Sequence, residues 1–260
     1  MDNVFAYDVA LNIMQGNEDL EPLSVEEYRQ RRDWPKWQEA IQSELNSLAK
    51  REVFGPLVHT LSDVKPIGYK WVFVRKRNEI VRYKARLVAQ GFSQRPGVDY
   101  KETYSPVMDA ITFRYLIGLV VHENLEIHLM DVVTAYLYGA LDNEIYMKVP
   151  EGLKMPEAYS SKSRKMYSIR LQKSLYGLKQ SGRMWYNRLS EYLIKQDFIN
   201  DVICPCIFIK KTTSEFVILV VYVDDINLIV TPEEVQKAIE YLKKKFEIKD
   251  LGKTKLCLGL

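Results

Sequence analysis

The chain holds few of the groups on which many common chemistries depend. Only three cysteines (Cys204, Cys206, Cys257) and three histidines (His59, His122, His128) occur in 260 residues. The cysteines are too few for a disulfide framework and lack CxxC spacing, and Cys204-Pro205-Cys206 is too tight for one zinc-binding pair. A buried thiol pair in a reduced, intracellular protein is the expectation. The histidines are isolated, so none is assigned to catalysis. No apolar run approaches the roughly 20 residues that span a bilayer, so no membrane partner is expected. The longest run, Phe216–Val223, is cut by Asp224 and Asp225. Met1-Asp2-Asn3 lacks the basic segment and apolar stretch of a secretory signal. There is no Ser-His-Asp set, no phosphate-binding Gly-rich loop and no internal repeat.

What is present is an ordinary globular composition, 47% hydrophobic and 27% charged, enough for one large core or two modest ones. A net charge of +3 conceals strong segregation. Lys65–Arg95 holds nine basic residues and one acidic, and Lys162–Arg188 holds eight basic and none acidic; together they carry +16, leaving −13 for the rest. A basic stretch is often only a solvated face. Both stretches are interleaved with aromatics, however: Tyr69, Trp71, Phe73, Tyr83 and Phe92 in one, Tyr167, Tyr176, Trp185 and Tyr186 in the other. Cations for phosphates and flat rings for bases are what a nucleic-acid channel requires, so both stretches are expected to line one groove.

Residues 1–33 read as a tail or linker, followed by one unit over 34–260. Asp33 and Pro35 mark a helix start, and Trp37, Ile41, Leu45 and Leu48 form one apolar stripe ending near Lys50. Lys70–Lys76 and Ile80–Gln90 read as a β-hairpin with a polar tip. Ile111–His122 is an apolar helix, followed by alternation of Leu125, Ile127 and Leu129 in a strand that runs into Asp131. Short strands at 145–149 and 167–171, a loop at 177–182 and a helix at 183–196 precede two apolar strands, 216–222 and 226–230. A helix over 232–246 closes the series. Mixed helices and strands without βαβ alternation indicate an α+β fold.

Tyr222-Val223-Asp224-Asp225 is the most informative stretch. It reads either as a plain hairpin tip, since Asp is a common turn residue, or as a metal site. A plain two-residue turn more often carries Asn-Gly or Asp-Gly, and two adjacent anions at the end of apolar strands repel unless a cation neutralises them. Asp131 ends another strand. Three carboxylates of this kind suit hard divalent cations, magnesium above all, and can hold two of them.

Tyr222-Val223-Asp224-Asp225 between hydrophobic strands resembles the catalytic box of reverse transcriptases. Further segments resemble the Ty1/copia-type retrotransposon reverse transcriptase: Lys70–Phe73, Lys84–Phe92, Tyr104–Val107, Met130–Val132 with Thr134–Leu137, Ile145–Met147 with Pro150–Gly152, Leu175–Gln180, and Lys249–Gly252 with Leu258-Gly259. They cover about residues 34–260 in the family's order. A lone Tyr-Val-Asp-Asp would be weak evidence; seven ordered blocks are strong.

The resemblance implies the fingers and palm of a right-hand polymerase, with an antiparallel palm sheet, helices packed on one side of it, and a thumb missing or incomplete beyond the primer grip. It implies RNA- and DNA-directed DNA polymerisation with two Mg²⁺ ions (Mn²⁺ as an alternative), deoxynucleoside triphosphates, and an RNA or DNA template with its primer. Asp131 and Asp224 would bridge the metals, with Asp225 less direct, and the Val132 carbonyl would help hold the nucleotide's metal. Tyr136 would be a steric gate against the ribose 2′-OH, with a core aromatic as the alternative. Lys84 and Arg86, along with Lys76 and Arg77, would meet the triphosphate. Gly177, Lys179 and Gln180 would lie against the templating base pair, and Tyr222 near the primer terminus. Val133, Tyr138 and Gly182 depart from residues frequent in relatives (Lys, Asn and Pro) without removing a catalytic carboxylate. The thumb, connection, RNase H, protease and integrase of the polyprotein are not in the sequence, which suggests a fragment or a degenerate copy. The location implied is cytoplasmic, or a virus-like particle. Two other readings stay open: an inactive remnant that keeps only the fold and nucleic-acid binding, and a palm-like nucleotidyl transferase or cyclase, which explains the aspartates but not the hairpin blocks.

Overall fold

The computed structural model describes residues 25–62, 64–77, 81–156, 163–211 and 216–254. The hairpin tip at 78–80, the Lys76 and Arg77 side chains, most of the expected tail, Cys257 and Leu258-Gly259 lie outside the described residues. Every sheet pairs antiparallel, and the architecture is α+β as expected.

Residues expected to belong to the tail begin the fold instead: Val25–Arg29 form α1, and buried Val25 joins the first core. Trp34–Lys50 form α2. Asp33 precedes it without capping it; its carboxylate accepts from Arg31 Nε and Trp37 Nε1. The α2 stripe of Trp37, Ile41, Leu45 and Leu48 packs on Trp71, Phe73 and Leu87 of a two-stranded hairpin, β2 (Tyr69–Arg77) and β3 (Val81–Ala89). The same core takes in Ile145, Met147 and Leu171 from a three-stranded sheet ordered β1 (Phe54–His59), β6 (Tyr167–Lys173), β5 (Ala140–Lys148).

The second unit is a six-stranded sheet. Its order is β11 (Ile248–Lys253), β4 (Glu126–Val132), β10 (Asp225–Val230), β9 (Phe216–Tyr222), β8 (Ile207–Lys211), β7 (Ile199–Asn200). Helices cover both of its faces rather than one. On one face Val217, Leu219, Val221, Ile226 and Leu228 meet α4 (Ser181–Ile194) and α5 (Val235–Lys243). On the other, Ile218, Val220 and Ile229 meet Phe113 and Leu116 of α3 (Ala110–His122). The unbroken apolar run of β9 carries the reason: a strand exposed on one face alternates, and this one is buried on both. No helix among the described residues is long and apolar enough to cross a membrane.

Candidate active site

The acidic turn joins β9 to β10 with Tyr222 directly opposite Asp225, so Val223 and Asp224 form a two-residue loop. Such a loop needs a positive φ, and Val223 supplies it at +58°, a conformation that β-branched residues rarely adopt. The strained turn is held from below: Trp185 of α4, 1% exposed, donates its indole N–H to the Val223 carbonyl at 2.7 Å. Across the sheet, Asp225 of β10 stands opposite Asp131 of β4, and the Val132 N–H donates to the Asp224 carbonyl at 2.9 Å. Register therefore brings Asp131 to the adjacent pair Asp224-Asp225, more than ninety residues away in the chain.

Their electrostatics are those of crowded anions. Burial, then the charges of Asp224 and Asp131, push the Asp225 carboxyl from its ordinary 3.8 up to about 6. The Asp224 side chain reaches water but is ringed by protein. Desolvation raises its pKa, Asp131 adds to the rise, and the Arg86 guanidinium opposes it. Asp131 is drawn toward Lys249, its cross-strand neighbour on β11, at 3.8 Å. The carboxylates thus meet at one end of the sheet without closing into a cage: among the described residues, no three His, Cys, Asp or Glu side chains are arranged to hold a metal. The donor set is nonetheless all hard oxygen, under mutual repulsion that a divalent cation would relieve.

A signed pH dependence follows. A carboxyl whose folded pKa lies above its unfolded value contributes stability below about pH 3.8, and that contribution is lost as pH rises through about 6. A magnesium ion held by these carboxylates would compete with the proton; if they hold one, it should raise the melting temperature at pH 7.5 by about 3–6 °C at tenfold excess over its Kd, and by little at pH 5. Asp225→Asn should shrink the effect. Equal gains at both pH values in a thermal-shift titration would contradict the assignment.

The β2–β3 hairpin reaches this end of the sheet through Arg86. Along β3, Ala85, Leu87 and Ala89 face the core, while Arg82, Lys84 and Arg86 lie on the other face of the ribbon. The Arg86 guanidinium sits 5.4 Å from the Tyr176 ring centroid, close enough to Asp224 to act on its carboxyl. Tyr176, largely buried, has its hydroxyl pKa pushed well up by desolvation, and its ring meets Tyr136 edge-on at 5.6 Å. Tyr136 lies in the short 3-10 turn Ala135–Tyr138 that follows the Asp131 strand, half-buried, with its carbonyl accepting from the Ser174 hydroxyl.

Two glycines dock the hairpin. A Cβ on Gly177, at φ +86°, would lie 2.2 Å from the Ala89 carbonyl oxygen, and one on Gly91 would lie 2.0 Å from the Gly177 carbonyl oxygen. The need for glycine at 177 is thus met within the chain itself. Gln180 is fully buried, accepts from Gln94 Nε2 at 3.0 Å and donates to the Asp99 carbonyl at 3.0 Å. Its amide braces the loop, while Lys179 beside it is exposed.

Some of the basic residues expected to line one groove pair with acidic residues distant in sequence. Arg170 pairs with Glu144 at 2.8 Å, Lys173 with Glu52 at 3.6 Å and Arg183 with Asp142 at 3.8 Å. Arg164 donates to the Pro150 and Leu153 carbonyls. Three charges of the second basic stretch are thus compensated in space by acidic residues distant in sequence. Cavities of about 350 and 470 Å³ lie against the three-stranded sheet, and neither is lined by Asp131, Asp224 or Asp225.

The sequence pattern of the reverse transcriptase (RNA-dependent DNA polymerase) family matches residues 52–260. The chain belongs to that family. It is 36% identical over 250 residues to the retrovirus-related Pol polyprotein from transposon TNT 1-94 of Nicotiana tabacum, covering 94% of this chain and 18% of that protein. It is 32% identical over 225 residues to the Transposon Ty1-ER2 Gag-Pol polyprotein of Saccharomyces cerevisiae, covering 82% of this chain and 12% of that protein. These relatives place it with the reverse transcriptase region of copia-type Pol polyproteins, of which it spans under a fifth. A foamy viral protease-reverse transcriptase in complex with double-stranded DNA aligns over 89% of this chain and 33% of its own, at a TM-score of 0.42 and 13% identity.

Within this reverse transcriptase chain the structure places Asp131, Asp224 and Asp225 at one corner, with Val132 and Tyr222 flanking the turn and Arg86 and Tyr136 both against Tyr176. Lys84 lies two residues from Arg86 on the same strand. Sequence reasoning gave no role to Lys249 or Glu44, and it read Trp185 as a ring for a nucleic-acid groove, whereas Trp185 is buried beneath the acidic turn. Lys249 lies within a motif block and Trp185 within an aromatic-rich basic stretch, both usable signals; Glu44, on the helix, carries none.

Proposed function

We propose that the chain performs RNA- and DNA-directed DNA polymerisation by two-metal nucleotidyl transfer, as the fingers and palm of a larger Pol polyprotein. The observation that carries this reading is the register of Asp225 against Asp131 with Asp224 at the adjoining turn, beneath Arg86. Asp131, Asp224 and Asp225 would hold two magnesium ions, with manganese as an alternative and the Val132 carbonyl as a further donor. Bound there, the metal would lower the pKa of a primer hydroxyl and stabilise charge on the leaving pyrophosphate. Arg86 and Lys84 would neutralise the triphosphate of an incoming deoxynucleotide, and Lys179 would meet the template beside Gly177. Tyr222 would pack near the primer terminus.

The test is primer extension with poly(rA)–oligo(dT), dTTP and Mg²⁺, using the chain joined to the downstream sequence of its own reading frame. Product that depends on magnesium supports the proposal. Its absence, with nucleic-acid binding intact, favours the inactive remnant.

Tyr136 would crowd the 2′ position of the sugar. Tyr136→Ala should then raise ribonucleotide incorporation at least tenfold relative to deoxynucleotide, equivalent to about 1.4 kcal/mol of discrimination. An unchanged ratio in single-nucleotide kinetics would leave Tyr136 as a packing residue for Tyr176.

A further inference from the structure

We propose that Trp185 of α4 is a positioning residue for the carboxylates of the acidic turn: its indole N–H fixes the peptide that precedes Asp224 and so sets where that side chain points. The inference rests on the metal site proposed for Asp131, Asp224 and Asp225, and deepens it. The Cα of Asp224 lies between two peptide units, and their carbonyls are held by two different elements. The Val223 carbonyl accepts from Trp185 Nε1 at 2.7 Å, and the Asp224 carbonyl accepts from the Val132 N–H of β4 at 2.9 Å. The second hold joins main chain to main chain and does not depend on which residue supplies it. The first depends on one side chain.

The turn needs such a hold because its unstrained shape is a different one. A positive φ at Val223 with none at Asp224 is the type II′ pattern, whose first central position is ordinarily glycine. Valine, branched at Cβ, is strained there. A negative φ at Val223 would remove the strain and give a type I turn, which splays the strands it joins. Asp224 would then be drawn away from Asp131. Trp185 can resist this because its own ring is fixed: it is 1% exposed, with the Phe246 ring edge-on at 5.2 Å and the Tyr138 ring at 5.9 Å. The Tyr138 hydroxyl is tied in turn, accepting from the Glu247 N–H at 2.7 Å.

Trp185→Phe keeps an aromatic ring and removes the donor. Mn²⁺ alone, titrated against the chain with the free ion followed by electron paramagnetic resonance, should bind roughly tenfold more weakly to Trp185→Phe, the order of loss seen when a group that orients a metal ligand is removed. Val223→Gly relieves the strain, so in that background the same Trp185 substitution should weaken binding by about threefold or less. A Trp185 that only fills the core would lower the melting temperature and act on Mn²⁺ affinity equally in both backgrounds. Where Trp185→Phe melts too low to titrate, β-(3-benzothienyl)alanine at position 185 keeps the bicyclic shape and exchanges the N–H for sulfur. Unchanged affinity without the N–H, beside a weakened Asp131→Asn, overturns the inference alone, as does an equal loss in the Val223→Gly background. Unchanged affinity in both Trp185→Phe and Asp131→Asn, or a parent chain without saturable Mn²⁺ binding, overturns the metal site beneath it.

Discussion

If Asp224 holds metal as proposed, Asp224→Asn should lower magnesium-dependent primer extension by on the order of 10³-fold or more, because losing such a ligand would forfeit several kcal/mol of transition-state stabilisation. Asp131→Asn should do the same, and Asp225→Asn less. The change is isosteric and its effect on folding has the opposite sign. The folded state already disfavours charge at 224 and 225 through burial and the neighbouring carboxylates. Removing one anion should therefore leave the metal-free melting temperature unchanged or raise it. Single-nucleotide addition rates, read beside melting curves, separate chemistry from stability. A variant that retains activity within tenfold of the parent would remove Asp224 from the reaction.

Gly177→Ala should destabilise the chain by roughly 3 kcal/mol, combining the left-handed backbone cost of an alanine with overpacking against fixed backbone. The new methyl would sit 2.2 Å from the Ala89 carbonyl oxygen and 2.6 Å from Val88 Cγ1, neither a flexible side-chain end that can swing aside. The expected drop in melting temperature is about 6–12 °C. Triphosphate binding should fall as well, because relief of the clash would lift the segment carrying Arg86 from the turn. Gly118 is the control: it lies on an exposed face of α3, where an added methyl would meet nothing within 4 Å, and Gly118→Ala should be neutral or stabilising by up to about 1 kcal/mol. Similar melting temperatures for the two variants would show that the hairpin does not depend on this contact.

Much of the fold was legible because it is written in local periodicity. The stripe of Trp37, Ile41, Leu45 and Leu48, the paired runs of the 69–89 hairpin and the two apolar strands around the acidic turn each carry their element in adjacent residues. Elements whose order depends on tertiary packing were harder to read. Val25–Arg29 is a five-residue helix with no independent stability, held where Val25 meets the first core. The helix expected over 232–246 resolves into a 3-10 turn, Pro232–Glu234, and α5 ending at Lys243.

By itself the sequence determined the family and the α+β class, because ordered motifs and apolar spacing survive without coordinates. Only the tertiary structure decided that helices flank both faces of the main sheet, that Gln180 is an interior brace, and that Arg170, Lys173 and Arg183 pair with Glu144, Glu52 and Asp142. It likewise assigned Trp185 to the strained carbonyl of Val223. The physical reason is common to all of these. Hydrogen bonds and charges act over a few ångströms of space, and the partners that satisfy them here come from strands and helices tens to more than a hundred residues away, joined by a register that no local pattern encodes.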